Sequence, residues 1–305
     1  VTRLRNHWLW PLVVSVLALG AFAGLGLLTR TVLASRGNRA LADSGEFVVW
    51  SLLIAASAVL FAFLFAHSVP LTAWLRLAGV AVWKPALAYV VFAAILFAFQ
   101  WKIGSPIGDL KPTTAIGVSR TLLALGLVAA APAVLGLWLN HTRLRRISRV
   151  LDGETTERER AVDVLGELLE CKRANGSCLM VLALIVSTAV IDAGAQRRAF
   201  LATGTPKEAF PPEGVLLYGA LFTAISLLLY VPVFLAWKAR CLRVVDEIYP
   251  LPADARPTED WQAGRARLTH LMGTDNTVGK TVTAAFGILA PLLTGVLSVV
   301  LPGLK

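Results

Sequence analysis

Charge is scarce in this 305-residue chain: Asp, Glu, Lys and Arg together make up 16% of it. Soluble domains carry about 25%. With 56% of residues hydrophobic, that balance excludes a disordered chain and argues against a soluble globular enzyme. Cysteine is scarce as well. Cys171, Cys178 and Cys241 are too few for a disulfide framework. A zinc site wants tighter cysteine pairs and a fourth ligand, which His141 or His270 would have to supply, so free thiols are expected. Motifs that carry chemistry are missing too. The chain has no HExxH, no GxSxG and no paired carboxylates inside an apolar run. No cofactor is expected. No internal repeat and no inverted pair of broken helices is visible.

What is abundant is apolar. Hydrophobic residues reach 56%, and mean hydropathy is +0.69. The composition points to an all-α, polytopic membrane bundle with about seven transmembrane helices and two short cytosolic helical segments. Spans of roughly 20 residues cross the hydrocarbon as helices. They are placed at 8–28, 47–67, 85–101, 118–139, 177–195, 215–237 and 281–301. The organisation is then 1–139 (helices one to four), 140–176 (a cytosolic loop), 177–237 (helices five and six), 238–280 (a second cytosolic loop) and 281–305 (helix seven). Arg3, Arg5 and the first apolar run resemble a signal peptide, but the run is longer than such regions usually are, so it is kept as a helix. Trp8, Trp10, Trp50, Trp101, Trp138 and Trp237 fall at predicted helix ends, where an amphipathic ring suits the headgroup level. Residues 68–84 read as an interfacial helix, with Leu71, Trp74, Leu75, Ala78 and Val82 on one face; a re-entrant segment is the alternative.

Net charge is +10. Most basic residues flank apolar runs, so anionic lipid headgroups rather than nucleic acid are the expected partner. With the N-terminus inside, inner segments hold 19 Lys and Arg and outer segments 9. The clusters Arg143, Arg145, Arg146, Arg149 and Lys238, Arg240, Arg243 set this orientation. All three cysteines fall on the same inner side, where thiols stay reduced. The 21 Arg against 8 Lys, with abundant Ala, Leu, Val and Gly, suit a GC-rich bacterial genome, and Val1 is read as a literally translated GTG start. The expected location is a bacterial cytoplasmic membrane.

Four patterns bear on function. In the loop 140–176, Thr155 or Thr156 caps a helix whose Val162, Leu165, Leu168 and Leu169 form a stripe opposite Glu157, Arg158, Glu159, Arg160, Asp163, Glu167 and Glu170. It either docks a partner or packs within the chain, and the second is favoured. In the loop 238–280, Thr258 caps a helix that Gly273 ends. Gly273 to Thr281 reads GTDNTVGKT, but the two glycines are one residue too far apart for a phosphate-binding loop; Lys280 is better read as a headgroup anchor. Thr113 to Gly117 faintly resembles a potassium filter and is better explained as the start of helix four. Asp192 is the acid inside an apolar run; it is either a cation or proton site or an ion pair with Arg120, Arg197 or Arg198 near the outer surface, and the pair is favoured.

Helix seven carries the sharpest pattern. Thr283, Gly287, Pro291, Thr294 and Ser298 make one small or hydroxylated stripe. Such a stripe either packs helices closely or lines a pore. Gly20 and Gly24 form a GxxxG packing pair in helix one. The leading expectation is an oligomeric channel lined by Thr283, Gly287, Thr294 and Ser298, with Lys280 at the inner mouth. A homo-oligomer is expected because one subunit's interior is too apolar for a polar path. The alternative is a non-catalytic membrane subunit that anchors or regulates a partner through its cytosolic helices. A lipid-acting enzyme comes third.

Overall fold

In the computed structural model the described residues are 9–35, 43–77, 82–103, 113–152, 157–253, 256–274, 289–290 and 292–296. Among them every regular element is a helix. The chain runs α1 (Leu9–Ser35), α2 (Gly45–Leu77), α3 (Trp83–Ile103), α4 (Thr113–Leu151), α5 (Glu157–Ala202), a 3₁₀ turn (Lys207–Ala209), α6 (Pro212–Ile248) and α7 (Glu259–Met272). Five stretches are long and apolar enough to cross a membrane: Val14–Leu33, Gly45–Pro70, Gly117–Arg149, Val164–Ala202 and Pro212–Ile248. A sixth apolar stretch, Trp83–Ala98, is shorter. Most of the expected seventh span lies outside the described residues; 289–290 and 292–296 are helical. The described residues are thus all-helical, with five long apolar helices able to span a membrane.

The core lies between α2, α4, α5 and α6, with α1 laid along α2 and α3 along α4. Ile54 and Phe61 of α2, Leu137 of α4 and Leu182 and Ile185 of α5 belong to one buried apolar cluster. Outward positions such as Phe22, Leu87, Val90, Ile95, Met180 and Leu228 are exposed and apolar, as lipid-facing positions should be. The GxxxG pair of α1 is a packing face. A Cβ on Gly24 would lie 2.8 Å from the Ala55 carbonyl oxygen, and one on Gly20 would collide with the Ala62 methyl. Pro70, Pro132 and Pro232 sit inside helices. Their lost N–H groups are tolerated where neighbouring helices hold the backbone.

Several expectations need revision. Residues 68–77 are not a separate interfacial helix, because α2 runs straight through Pro70 to Leu77. Nor does a loop separate the stripe at 162–169 from helix five: both belong to the 46-residue α5. Between Glu157 and Ala202 no proline interrupts the hydrogen-bond ladder, so polar composition alone does not end the helix. Thr155 and Thr156 lie outside the described residues. Two of the tryptophans assigned to helix ends, Trp50 and Trp237, are core residues at 1% and 3% exposure. Trp50 packs near Phe47 and Phe200, and Phe200 stacks on Phe210 at 5.3 Å.

Helix length has a structural consequence. About 20 residues cross the hydrocarbon, whereas α4, α5 and α6 have 39, 46 and 37. The last turns of α4, the first turns of α5 and the last turns of α6 meet in one helical extension, and α7 packs against α6. The core continues through it: Leu144, Ile147, Leu151, Val164, Leu168, Cys171, Cys241, Val244, Val245 and Met272 are buried. The α5 stripe is thus covered within the chain at Leu168 and partly at Leu165 and Leu169. α7 has the expected caps. Thr258 Oγ1 accepts from the Trp261 N–H at 3.3 Å, and Gly273 adopts φ 69°, the left-handed stop that glycine enters without strain.

Candidate functional site

Two groups of buried polar side chains stand out against the apolar helices. The first lies where the bundle meets the extension. Asn140 of α4 donates from Nδ2 to the Cys171 carbonyl at 2.9 Å and to Asn175 Oδ1 at 2.7 Å. Both asparagines are buried, and Asn140 Oδ1, Asn175 Nδ2 and His141 Nδ1 have no partner among the described residues. Trp237 of α6 donates its indole N–H to the Leu168 carbonyl at 3.0 Å, and Lys172 lies over its ring. Below this junction the extension is laced by ion pairs. Arg143 reaches Glu167 at 3.2 Å, Arg243 bridges Asp152 at 2.6 Å and Glu247 at 2.8 Å, and Arg265 reaches Asp246 at 2.6 Å. Arg240 donates to the carbonyls of Leu144 and Ala236. Arg145 and Arg149 point outward and are exposed.

The second group is inside the spans. Asp192 of α5 is 4% exposed, and its Oδ2 lies 2.6 Å from Ser57 Oγ of α2. Oδ1 has no hydrogen-bond partner among the described residues. Nor does any described cation form an ion pair with Asp192, so the expected bridge to Arg120, Arg197 or Arg198 is not formed; Arg197 instead donates to the Phe210 carbonyl at 2.7 Å. Sequence spacing could not find Ser57, because a contact across 135 residues leaves no local signal.

Of the helix-seven stripe, Thr294 is described, while Thr283, Gly287, Pro291 and Ser298, together with Lys280, lie outside the described residues. Thr294 is partly buried and returns its hydroxyl to the Ala290 carbonyl at 2.7 Å. Its neighbour Gly295 is buried, with Val190 of α5 and the Val215 carbonyl both 3.6 Å from where a Cβ would stand. Leu289, Leu293 and Val296 are exposed. This segment therefore turns a small residue toward the bundle and bulky ones outward.

The three thiols are unbridged and buried. Among the described residues, no group of His, Cys, Asp and Glu is placed to hold a metal ion. The motif at Gly273 begins as a helix stop: the Gly273 N–H bonds back to Thr269 and His270, and that of Thr274 to Thr269. Thr113 opens α4. An apolar groove along α3, lined by Trp83, Leu87, Val91 and Ile95, faces outward and has almost no polar lining. No protein-family model, curated protein or solved structure matches this chain.

Proposed function

We propose that this chain is a non-catalytic integral membrane subunit that anchors or regulates a protein partner through its helical extension. One observation carries the reading. α4, α5 and α6 have 39, 46 and 37 residues against the roughly 20 that cross a bilayer, and at one end their turns stay packed on a shared core with α7 attached. A membrane anchor alone has no need of those extra turns. Ion pairs and buried side chains make the extension a firm platform, with Arg145, Arg149, Leu242 and Leu271 exposed on it. Firm platforms lose little conformational freedom on binding. In this reading the platform faces the cytoplasm of a bacterial cell, because the basic clusters sit on it.

The test uses a photo-crosslinking residue placed at 145, 242 or 271, compared with position 208 at the opposite end. A discrete, stoichiometric adduct to one protein from the platform positions, and none from 208, is expected. Adducts to lipid alone from every position would sink the reading.

The second reading is an oligomeric channel whose path forms between copies, lined by Thr283, Gly287, Thr294 and Ser298 with Lys280 at the mouth. The apolar filling of the described core favours a path outside any single copy. Lys280 gives such a path an anion preference. Purified protein in planar bilayers should then pass discrete currents, and Thr294→Leu should block them while the oligomer survives. Loss of the oligomer with that variant would assign the stripe to packing.

A further inference from the structure

We propose that Asp192 and Ser57 form a proton-binding site in which the Asp192 carboxyl carries a proton on Oδ2 and donates it to Ser57 Oγ. The inference goes beyond the docking role above and does not depend on it. It rests on counting hydrogens. Ser57 Oγ is 2.8 Å from the Leu53 carbonyl and 2.6 Å from Asp192 Oδ2. A serine hydroxyl has one hydrogen and two acceptor lone pairs. Both neighbours are acceptors if the carboxyl is ionised, and then one of the two contacts is an unbridged pair of oxygens. A protonated carboxyl resolves this: Oδ2–H donates to Ser57 Oγ, and the Ser57 hydroxyl donates to the Leu53 carbonyl. The second bond is the usual back-bond of a serine inside a helix.

The surroundings agree. Asp192 Oδ1 is buried and accepts no hydrogen bond among the described residues. An ionised carboxylate so placed would spread charge onto an oxygen with nothing to receive it, which is costly in an apolar interior. The carbonyl oxygen of a neutral acid tolerates that position better. The neighbouring elements bring no described counter-charge. α2 contributes Ser57, and α6 contributes Tyr218, which lies within electrostatic reach. α4 carries Arg120 and α5 itself carries Arg197 and Arg198, none of them ion-paired with Asp192. The described residues of the segment 289–296 hold no titratable group. One carboxyl and one hydroxyl are also too few oxygens for a sodium or calcium ion, which take six or so.

Infrared spectroscopy of the intact protein in lipid reads this directly. At neutral pH the wild type should show the C=O stretch of a protonated carboxylic acid, with a small downshift in D₂O. Asp192→Asn should remove that band. Ser57→Ala should move it to higher frequency, because the acid loses its acceptor, so the assignment survives if the asparagine variant fails to fold. Raising the pH should bleach the band reversibly. An absent band at neutral pH, or one unmoved by Ser57→Ala, overturns the proposal. Bleaching by sodium at fixed pH would make this a metal-cation site and overturn it equally.

Discussion

Gly24 of α1 faces the carbonyl of Ala55 on α2 so closely that a Cβ there would lie 2.8 Å from the oxygen. Real Cβ atoms do not approach a carbonyl oxygen so closely, so the two backbones meet because position 24 has no side chain. Gly20, one turn earlier, faces the Ala62 methyl, with which a Cβ there would collide. Association in lipid lacks a hydrophobic driving force and depends on such close packing. Gly24→Leu should therefore prise α1 from α2 and cost about 1–3 kcal/mol. Gly26, with open space around it, should accept alanine with little change. Thermal unfolding in detergent compares the two; equal stability would remove the pair from the packing account.

A second prediction concerns the buried amides. Replacing Asn140 alone by leucine strands Asn175, and the reverse leaves Asn140 with only its bond to the Cys171 carbonyl, each at about 1–3 kcal/mol. The double variant Asn140→Leu/Asn175→Leu removes both polar groups together. It should cost clearly less than the sum of the single changes. Strict additivity in the melting temperatures would mean that the 2.7 Å contact between them contributes nothing.

Trp237 gives a third test. Its indole N–H holds the Leu168 carbonyl across the α5–α6 interface, and the ring is almost wholly buried. Trp237→Phe keeps an aromatic ring and drops the donor, so a loss of about 0.5–1.5 kcal/mol is expected from the hydrogen bond, plus the loss of packing around the larger ring. Trp237→Ala should cost about 3–5 kcal/mol. A phenylalanine variant as unstable as the alanine one would show that the indole donor, not ring volume, dominates.

Orientation is the fourth. Cys171, Cys178 and Cys241 are buried, so native thiols report poorly on sidedness. Exposed positions at opposite ends do better. Arg145→Cys lies on the extension and Glu208→Cys in the turn before α6. In a cysteine-free background an impermeant maleimide applied to intact cells should label position 208 and spare 145. The opposite pattern reverses the topology.

What could be read along the chain was whatever depends on near neighbours. A run of apolar residues needs no partner to declare itself, because hydrocarbon accepts a helix that satisfies its own backbone. Hence the five long spans and the short α3 stretch fall where the composition puts them. The caps at Thr258 and Gly273 were readable for the same reason: side-chain oxygen and left-handed φ act within one turn. The GxxxG spacing at Gly20 and Gly24 announced a contact, but not that Ala55 and Ala62 were its other side.

Tertiary structure decided the rest. A polar helix and an apolar helix with no breaker between them read as two elements, yet α5 is one, since a continuous ladder costs less than a turn whose backbone groups need new partners. Trp50 and Trp237 have the amphipathic character of interface residues, and only packing put them in the core. Asp192 shows the division most plainly. Its position in an apolar run marked it as unusual, and the arginines expected near the same membrane face were the natural partners. The partner is Ser57, 135 residues away, because the packing of α2 against α5 fixes which atoms lie within hydrogen-bond reach of a buried carboxyl.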